Sequence, residues 1–217
     1  LQRYCNMNFK FKKPPGDVQD LNVIPNHDAY HESKKHISQF GLALDIGAHV
    51  GTMSRLMAND FKLVHSFEPL FYEYTLANTE DLKNVTVHNC GLGNVKSKEN
   101  MYVMEEKTGG SSLIKHPRRK WQLNAKTREI NIKPLDSFSF DQPINFIKID
   151  VESYEYYVVD GAKKTLTEHS PVIMIEYLPK YQPPIYNSDA AHKILESLGY
   201  RRVAKSGHDN IYCKENM

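Results

Sequence analysis

Short apolar runs of strand length alternate along the chain with segments whose apolar residues recur at helical spacing. The runs predict strands at 42–46, 62–67, 84–89, 144–150 and 172–176, followed by two terminal strands around Arg202 and Ile211. The helical segments are 28–39, the residues from Met53 onward, 69–82, 154–161 and 189–198. Because apolar strands alternate with helices, we predict an α/β fold with a doubly wound, mostly parallel sheet and helices on both faces.

The beginning of the chain departs from this alternation. Residues 1–40 are predicted to be an N-terminal extension that carries the first helix, and the main domain is predicted to cover 41–217. The first 27 residues are expected to be loosely structured, because Pro14-Pro15-Gly16 and Pro25 interrupt any period.

A second departure lies inside the main domain, at about 94–141. Two short strands, at 101–104 and 129–132, flank a Gly-Gly-Ser-Ser loop at 109–112. We interpret this segment as a β-rich insertion that lies over the binding site.

The most informative stretch joins the first strand to the helix after it. Asp45 ends an apolar run, and Gly47 and Gly51 make a tight turn before helical spacing begins. Glu68 ends the second strand 21 residues after Gly47, a step at which nucleotide-binding βαβ units place an acid on the ribose hydroxyls. A strand-glycine-helix turn alone occurs in any α/β crossover, and the acid in register argues against that alternative.

The same turn argues against a dinucleotide. A G-x-G-x-x-G loop lets backbone amides approach a pyrophosphate, but His49 and Thr52 occupy two of those glycine positions, and Asp45 would repel an anion. S-adenosylmethionine has no phosphate and carries a sulfonium and an ammonium, which Asp45 can attract directly or through water. We therefore predict S-adenosylmethionine as the cofactor.

Acids stand at the ends of four predicted core strands, where ligands of doubly wound sheets bind. They are Asp45, Glu68, Asp150 and Glu176. Four acids are more than solubility requires, although Asp150 and Glu176 could instead cap helices or pair with lysines.

Composition narrows the class of protein. The 217 residues suffice for one α/β core, and 40% apolar with 25% charged residues is typical of a globular protein. No apolar segment reaches the length of a membrane span, and a net charge of +2 implies neither a membrane nor a nucleic-acid partner. Three cysteines without C-x-x-C spacing, and an N-terminus without a secretory pattern, favour a reducing compartment, the cytoplasm. The composition does not indicate an oligomeric state.

A series of motifs carries a resemblance to a known family. They are D-x-G-A-x-x-G at 45–51, Phe67-Glu68-Pro69, GSSL at 110–113, LDSF at 135–138, FIKIDVESYE at 146–155, Gly161-Ala162 and 171–176. In this order, over about residues 41–178, they resemble the FkbM family of S-adenosylmethionine-dependent methyltransferases. The resemblance implies a Rossmann-like class I methyltransferase that usually methylates a hydroxyl of a sugar or a secondary metabolite. The chain departs from the family pattern at His49, where Asn is usual, and at Ser153, where Gly is usual.

The resemblance also implies roles for individual residues. Cofactor contacts are assigned to Asp45, Gly47, Ala48 and Gly51 at the methionine end, to Glu68 and Pro69 at the ribose, and to Gly91 and Leu92 at the adenine. Asp150 would face the transferred methyl group. Asp150 or Glu152 is the candidate base that takes the proton of the acceptor hydroxyl, and partial burial should raise its pKa.

Two features leave alternatives open. Asp150 with Glu152, Asp136 or Glu176 could hold a hard divalent cation that acidifies the hydroxyl, although the sequence identifies no complete metal-ligand set. The basic run at 115–121 is either an exposed loop or a recognition site for an anionic acceptor, with its tryptophan stacking on a sugar.

The predicted function is an S-adenosylmethionine-dependent O-methyltransferase that modifies a small molecule or a glycan. Methylation of RNA, at a ribose or a cap, is favoured slightly by the basic run, but the motifs for exocyclic amines, cytosine C5 and ribose are missing. A nicotinamide-dependent oxidoreductase is weakened by the glycine turn. A non-catalytic S-adenosylmethionine-binding module is weakened by the intact acids.

Overall fold

Ten strands and six helices follow one another in the part of the chain that the computed structural model describes, residues 9–21, 26–179 and 189–214. The strands are β1 (Leu42–Ile46), β2 (Leu63–Phe67), β3 (Val85–His88), β4 (Gly91–Leu92), β5 (Ser97–Tyr102), β6 (Thr127–Lys133), β7 (Ile144–Ile149), β8 (Val172–Glu176), β9 (Tyr200–Ser206) and β10 (Asp209–Lys214). The helices are α1 (His27–Lys34), α2 (Thr52–Ala58), α3 (Tyr72–Thr79), α4 (Glu155–Asp160), α5 (Lys163–His169) and α6 (Ala190–Ser197).

Seven strands form the main sheet, in the order β3-β2-β1-β7-β8-β10-β9. The first five are parallel, and β10 runs antiparallel to both β8 and β9. Strands β1, β7 and β8 are buried over nearly their whole length, as expected for strands that helices cover on both sides. The predicted doubly wound, mostly parallel sheet is confirmed.

Alternate side chains of β1 serve two separate apolar cores. Its even-numbered residues pack in the cluster that contains Val158 of α4. Ala43 packs in the cluster that contains Tyr30 of α1 and Met57 of α2. Helices therefore cover both faces of the sheet. Since side chains of a strand alternate between faces, Asp45 lies on the α1 and α2 side, and this decides its environment below.

The segment expected to be a β-rich insertion contributes to a second sheet, in the order β4-β6-β5. Strands β5 and β6 are antiparallel, while β4 pairs parallel to β6. Strand β6 extends beyond its predicted range at both ends, whereas β5 begins and ends earlier than the strand predicted at 101–104. The two residues of β4 were not predicted as a strand, because so short an element shows no periodicity. Ile130 and Ile132 of β6 pack against Leu70 and Phe71 before α3, so this sheet lies next to the end of β2.

Residues 9–21 contain no helix or strand but are more firmly attached than predicted. Asn78 donates to the carbonyl of Lys12 and accepts from its N–H, both at 2.7 Å, and Val18 N–H donates to the carbonyl of Glu106 at 3.0 Å. The ring of Phe9 packs on the guanidinium of Arg55 at 3.8 Å. The prolines prevent periodic structure, and side chains of other elements then satisfy the backbone.

The helices differ from the prediction in several of their bounds. Helix α1 ends at Lys34 rather than residue 39, α3 covers Tyr72–Thr79 rather than 69–82, and α5 was not predicted. Gly161 ends α4 as predicted, and the chain then starts α5 within two residues. None of the helices in the described ranges is both long and apolar enough to cross a membrane.

Candidate active site

A cavity opens at the carboxyl ends of β1, β2 and β7, and residues of the second sheet form one of its walls. Its empty volume is about 590 Å³, which includes the open mouth. Seven of the ten residues assigned from the sequence line it: Gly47, Glu68, Pro69, Gly91, Leu92, Asp150 and Glu152. The other three, Asp45, Ala48 and Gly51, do not contribute to its wall.

The turn after β1 is fixed by close backbone contacts. Gly47 has a φ of +81°, and a Cβ there would lie 1.9 Å from the carbonyl oxygen of Asp150. Glycine therefore lets the ends of β1 and β7 approach each other. His49 also has a positive φ, 52°, a conformation in which Asn, Asp and His are enriched. The backbone of this turn thus accommodates His49 where Asn is usual.

The carboxylate of Glu68 is held by three backbone donors. Its Oε1 accepts from the N–H groups of Leu70 and Phe71 at 2.8 and 2.9 Å, and its Oε2 accepts from His49 N–H at 2.9 Å. Burial raises the pKa of Glu68, and these hydrogen bonds oppose that rise. Since a carboxylate offers about four lone-pair sites, one remains, on Oε2. Glu68 is a rigid acceptor with room for one further donor, and its bonds delay the start of α3.

Asp45 lies beneath the turn and not on the cavity wall. Its side chain is fully buried, Ser54 Oγ donates to its Oδ2 at 2.6 Å, and Lys148 Nζ lies 3.1 Å from its Oδ1. Lys148 also donates to the carbonyl of Gly47 at 2.8 Å. A buried ammonium thus already neutralises Asp45, which can act on a ligand only by fixing Lys148 and the turn.

Lys148 is a site residue that the sequence analysis missed. Burial lowers the pKa of Lys148, but the carboxylates of Asp45 and Asp150 raise it by more, so the ammonium stays charged. The available signal was a lysine inside an apolar strand, which the register of β1 and β7 places opposite Asp45.

The second sheet forms an apolar wall. Met101, Leu113 and Ile132 line the cavity together with Leu92. A Cβ at Gly91 would lie 2.7 Å from Ile132 Cδ1, so glycine there keeps the wall flat. The insertion is predicted from the sequence to cover the site, but no sequence pattern identifies which residues of the insertion line the cavity.

A polar contact joins the N-terminal segment, the glycine turn and the loop after β5. His49 Nε2 lies 2.6 Å from Thr108 Oγ1, and Thr108 Oγ1 donates a hydrogen bond to Asp17. Burial is the main reason that the pKa of His49 falls to about 4, so its imidazole is neutral. No sequence signal links Asp17 to this contact, because its partners are far along the chain.

Three carboxylates meet at one side of the cavity. Ligand-capable oxygens of Asp150, Glu152 and Glu176 lie within 4.8 Å of one another. Asn26, just before α1, donates to Asp150 Oδ2 at 3.0 Å, and Arg119 Nη2 donates to Glu152 Oε2 at 3.1 Å. The sequence analysis named all three carboxylates but neither Asn26 nor Arg119 individually.

Burial and mutual repulsion shift the titration of this acidic group. Burial and then the charge of Asp150 raise the pKa of Glu152 to about 7 and that of Glu176 to about 11. The same two causes raise the pKa of Asp209 to about 7. Strongly shifted carboxyl groups beside a cavity are typical of functional sites.

Asp136, the fourth acid considered as a metal ligand, lies elsewhere. Its two oxygens accept from the N–H groups of Lys164 and Thr165 at 3.0 and 2.8 Å. It therefore caps the start of α5 and is not one of the three clustered carboxylates.

The residues of the basic run at 115–121 differ in their exposure to solvent. Arg119 is buried, and it donates to the carbonyl of Glu152 at 3.2 Å and to Ser153 Oγ at 3.1 Å. It ties the loop before β6 to the loop after β7. Lys115, Arg118 and Lys120 are exposed, and the tryptophan at 121 is half-buried.

Comparison with solved structures identifies the class of fold. One similar structure is methyltransferase FkbM from Methylobacillus flagellatus KT, with 21% identity and a TM-score of 0.50 over 86% of this chain and 50% of that chain. A second is ribosomal protein L11 methylase from Lactobacillus delbrueckii subsp. bulgaricus, with 10% identity and a TM-score of 0.51 over 89% of this chain and 81% of that chain. A third is monomeric WbdD, with 10% identity and a TM-score of 0.52 over 91% of this chain and 42% of that chain. At these identities the likeness concerns the fold, which is a Rossmann-like methyltransferase fold. The chain spans about half the length of the Methylobacillus protein.

The family follows from the sequence itself. The family described as the methyltransferase FkbM domain matches residues 45–202, which is most of the chain. The protein therefore belongs to the FkbM methyltransferase family, and the resemblance inferred from its motifs is confirmed. A search of curated proteins finds no match.

Proposed function

We propose that this protein transfers a methyl group from S-adenosylmethionine to a hydroxyl of a sugar, a glycan or a secondary metabolite. The observation that carries the proposal is Glu68, a buried carboxylate on the cavity wall whose remaining lone pair has no donor among the described residues. A ribose hydroxyl supplies that donor. The family supports the methyl transfer.

The cavity suits the other parts of the cofactor. The flat apolar wall around Gly91 and Leu92 fits the adenine. Gly47 and Asp150 line the cavity at the ends of β1 and β7, where the methionine portion would lie, and the carboxylate of Asp150 favours the positive charge of the sulfonium. When bound, S-adenosylmethionine supplies an electrophilic methyl group on a sulfonium. The role of Asp45 in this proposal is indirect, since it holds Lys148 and the turn in place.

The acceptor hydroxyl must be held close and relieved of its proton. We assign this work to Asp150 and Glu152, which line the cavity next to each other. Glu152 has a pKa raised to about 7, which suits a group that exchanges a proton near neutral pH. Asp150 is oriented by Asn26 and Lys148.

The exposed part of the basic run supports an anionic acceptor. Arg118 and Lys120 flank Arg119, whose hydrogen bonds bring this loop to the backbone of Glu152. A phosphate or carboxylate on the acceptor would find these cations beside the methyl-transfer site.

Labelled S-adenosylmethionine tests the proposal directly. The protein is incubated with it and with neutral glycans, acidic or phosphorylated glycans, nucleotides and RNA, and we expect the label in the glycans. Asp150→Asn should keep its calorimetric affinity for S-adenosylhomocysteine but lose about 10² to 10⁴ in turnover, the range for a positioned acid-base group. Label found in RNA and absent from every glycan would refute the acceptor class. Full turnover of Asp150→Asn would refute its assignment.

A further inference from the structure

The ends of β7, β8 and β10 bring together more acids than cations. Asp150 follows β7, Glu176 ends β8, and Asp209 begins β10. The register of the antiparallel pair places Asp209 directly opposite Glu176, so their side chains emerge on the same face of the sheet. Glu152 enters the same group from the loop after β7.

Two buried oxygens of this group have no hydrogen-bond partner in the part of the chain that the structure describes. Within the described residues, no hydrogen bond reaches Glu176 Oε2 or Asp209 Oδ1, and both atoms are buried. Asp209 is only 3% exposed. Its position opposite Glu176 places it beside the cluster. A buried carboxylate oxygen without a donor is costly, and it calls for a ligand that the protein itself does not provide.

The contacts that do exist leave the cluster open on one side. Asn26 and Lys148 both approach Oδ2 of Asp150, and Arg119 approaches Oε2 of Glu152. No hydrogen bond from the described residues reaches the second oxygen of either carboxylate, so both oxygens can bind a ligand. Among the described residues, Lys148 and Arg119 are the cations that contact the cluster, and Lys148 also serves Asp45.

We propose that Asp150, Glu152 and Glu176 bind one divalent cation, Mg²⁺ or Mn²⁺, with Asp209 adding negative charge beside it. Their oxygens lie within 4.8 Å of one another, so one ion can reach all three. Carboxylate oxygens are the ligands that these hard ions prefer. Asn26 acts as a positioning residue, because its hydrogen bond to Oδ2 orients Asp150.

The consequence for catalysis rests on the proposed function. Asp150 and Glu152 line the cavity, so a cation on them can also bind the acceptor hydroxyl and make it more acidic. The two carboxylates would then activate the acceptor through the ion rather than as direct bases.

Manganese binding tests the site without cofactor or acceptor. Mn²⁺ is titrated into the full chain, and the free ion is followed by electron paramagnetic resonance. We expect one bound ion per chain, displaced by Mg²⁺. Glu176→Gln should weaken the affinity about tenfold or more, comparable to or greater than the loss of a second-shell partner. Glu99→Gln, in exposed β5, is the matched control and should bind as the wild type does.

The substitutions are chosen so that folding does not obscure the result. Glu176→Gln keeps the shape of the side chain and replaces one carboxyl oxygen with an amide nitrogen, and circular dichroism verifies its fold. Absence of bound Mn²⁺ in the wild type, or equal binding by Glu176→Gln, would overturn the site. Methyl transfer that persists in full with a chelator would overturn the catalytic consequence. Affinity for S-adenosylhomocysteine, measured with chelator present, reports separately on the proposed cofactor.

Discussion

Glu68 shows how one side chain serves both folding and binding. The sequence predicted a carboxylate that accepts from both ribose hydroxyls. The structure shows that three of its lone-pair sites are already used by backbone N–H groups. One site remains for the ligand, so the proposed ribose contact is a single hydrogen bond on a carboxylate that is ordered in advance.

Substitutions of Glu68 should separate these two uses. Glu68→Ala leaves three N–H groups without their acceptor and should cost about 2 kcal/mol or more of unfolding free energy. Glu68→Gln can keep the bonds from Leu70 and Phe71, so it should fold better than the alanine variant. We expect Glu68→Gln to weaken S-adenosylhomocysteine binding about tenfold, since its amide nitrogen takes the place of Oε2 and cannot accept from the ribose. Urea unfolding and calorimetry measure the two effects, and an unchanged affinity would place the ribose elsewhere.

For Asp45, the sequence predicts the acid but not the residue that neutralises it. The acid was recognisable from the glycine turn, but the residue that neutralises it stands about a hundred positions away. The pairing of β1 with β7 sets Lys148 opposite Asp45, and a sequence pattern does not state which strands become neighbours.

A double-mutant cycle on this buried pair tests its structural role. Lys148→Met leaves a buried carboxylate unpaired and should reduce the unfolding free energy by about 3 to 5 kcal/mol. Asp45→Asn combined with Lys148→Met removes both charges and should recover much of that loss. Urea unfolding of the single and double variants measures the unfolding free energy that is lost and recovered. A cost below about 1 kcal/mol for Lys148→Met would show that Asp45 gains solvent or another donor.

At the scale of elements, the predicted strands agree with the structure where burial requires a continuous apolar run. The core strands β1, β7 and β8 were predicted nearly to the residue, because strands covered on both faces must be apolar throughout. Strand β4 has only two residues and helix α5 follows α4 almost directly, so neither had its own signal. The sequence predicted a β-rich insertion, but which of its side chains reach the cavity depends on how the second sheet packs against the main sheet.

The loop that carries the basic run yields a prediction for acceptor binding. Arg118→Ser combined with Lys120→Ser should weaken an anionic acceptor, because two exposed ionic contacts of about 0.5 to 1 kcal/mol each are lost. The KM for that acceptor should rise about five- to thirtyfold, with little change for a neutral acceptor. Lys62→Ser, an exposed lysine at the other end of β2, is the control. Equal effects on both acceptors would assign this loop to a structural role.

The whole molecule assembles its site from segments that are distant in sequence. Asp17 and Asn26 reach the site from the N-terminal part, Thr108 and Arg119 from the loops between β5 and β6, and the remainder from the main sheet. The motifs predicted the contribution of the main sheet, because they lie at the strand ends. The other contributions come from tertiary contacts across about 33 to 124 residues, for which the pattern of the chain has no local signal.

A site built from several segments should couple ligand binding to global stability. S-adenosylhomocysteine would contact the turn after β1, the end of β2 and the second sheet together, and unfolding would separate all three. At a hundred times its dissociation constant, it should add about 2.7 kcal/mol to the unfolding free energy. NAD should add nothing, because the turn has no glycine series for a pyrophosphate and the carboxylate of Asp150 stands near it. Thermal unfolding with each ligand measures the difference, with Glu68→Gln as the variant in which the shift should shrink. A shift with NAD and none with S-adenosylhomocysteine would refute the cofactor, while leaving the family and the fold as they are.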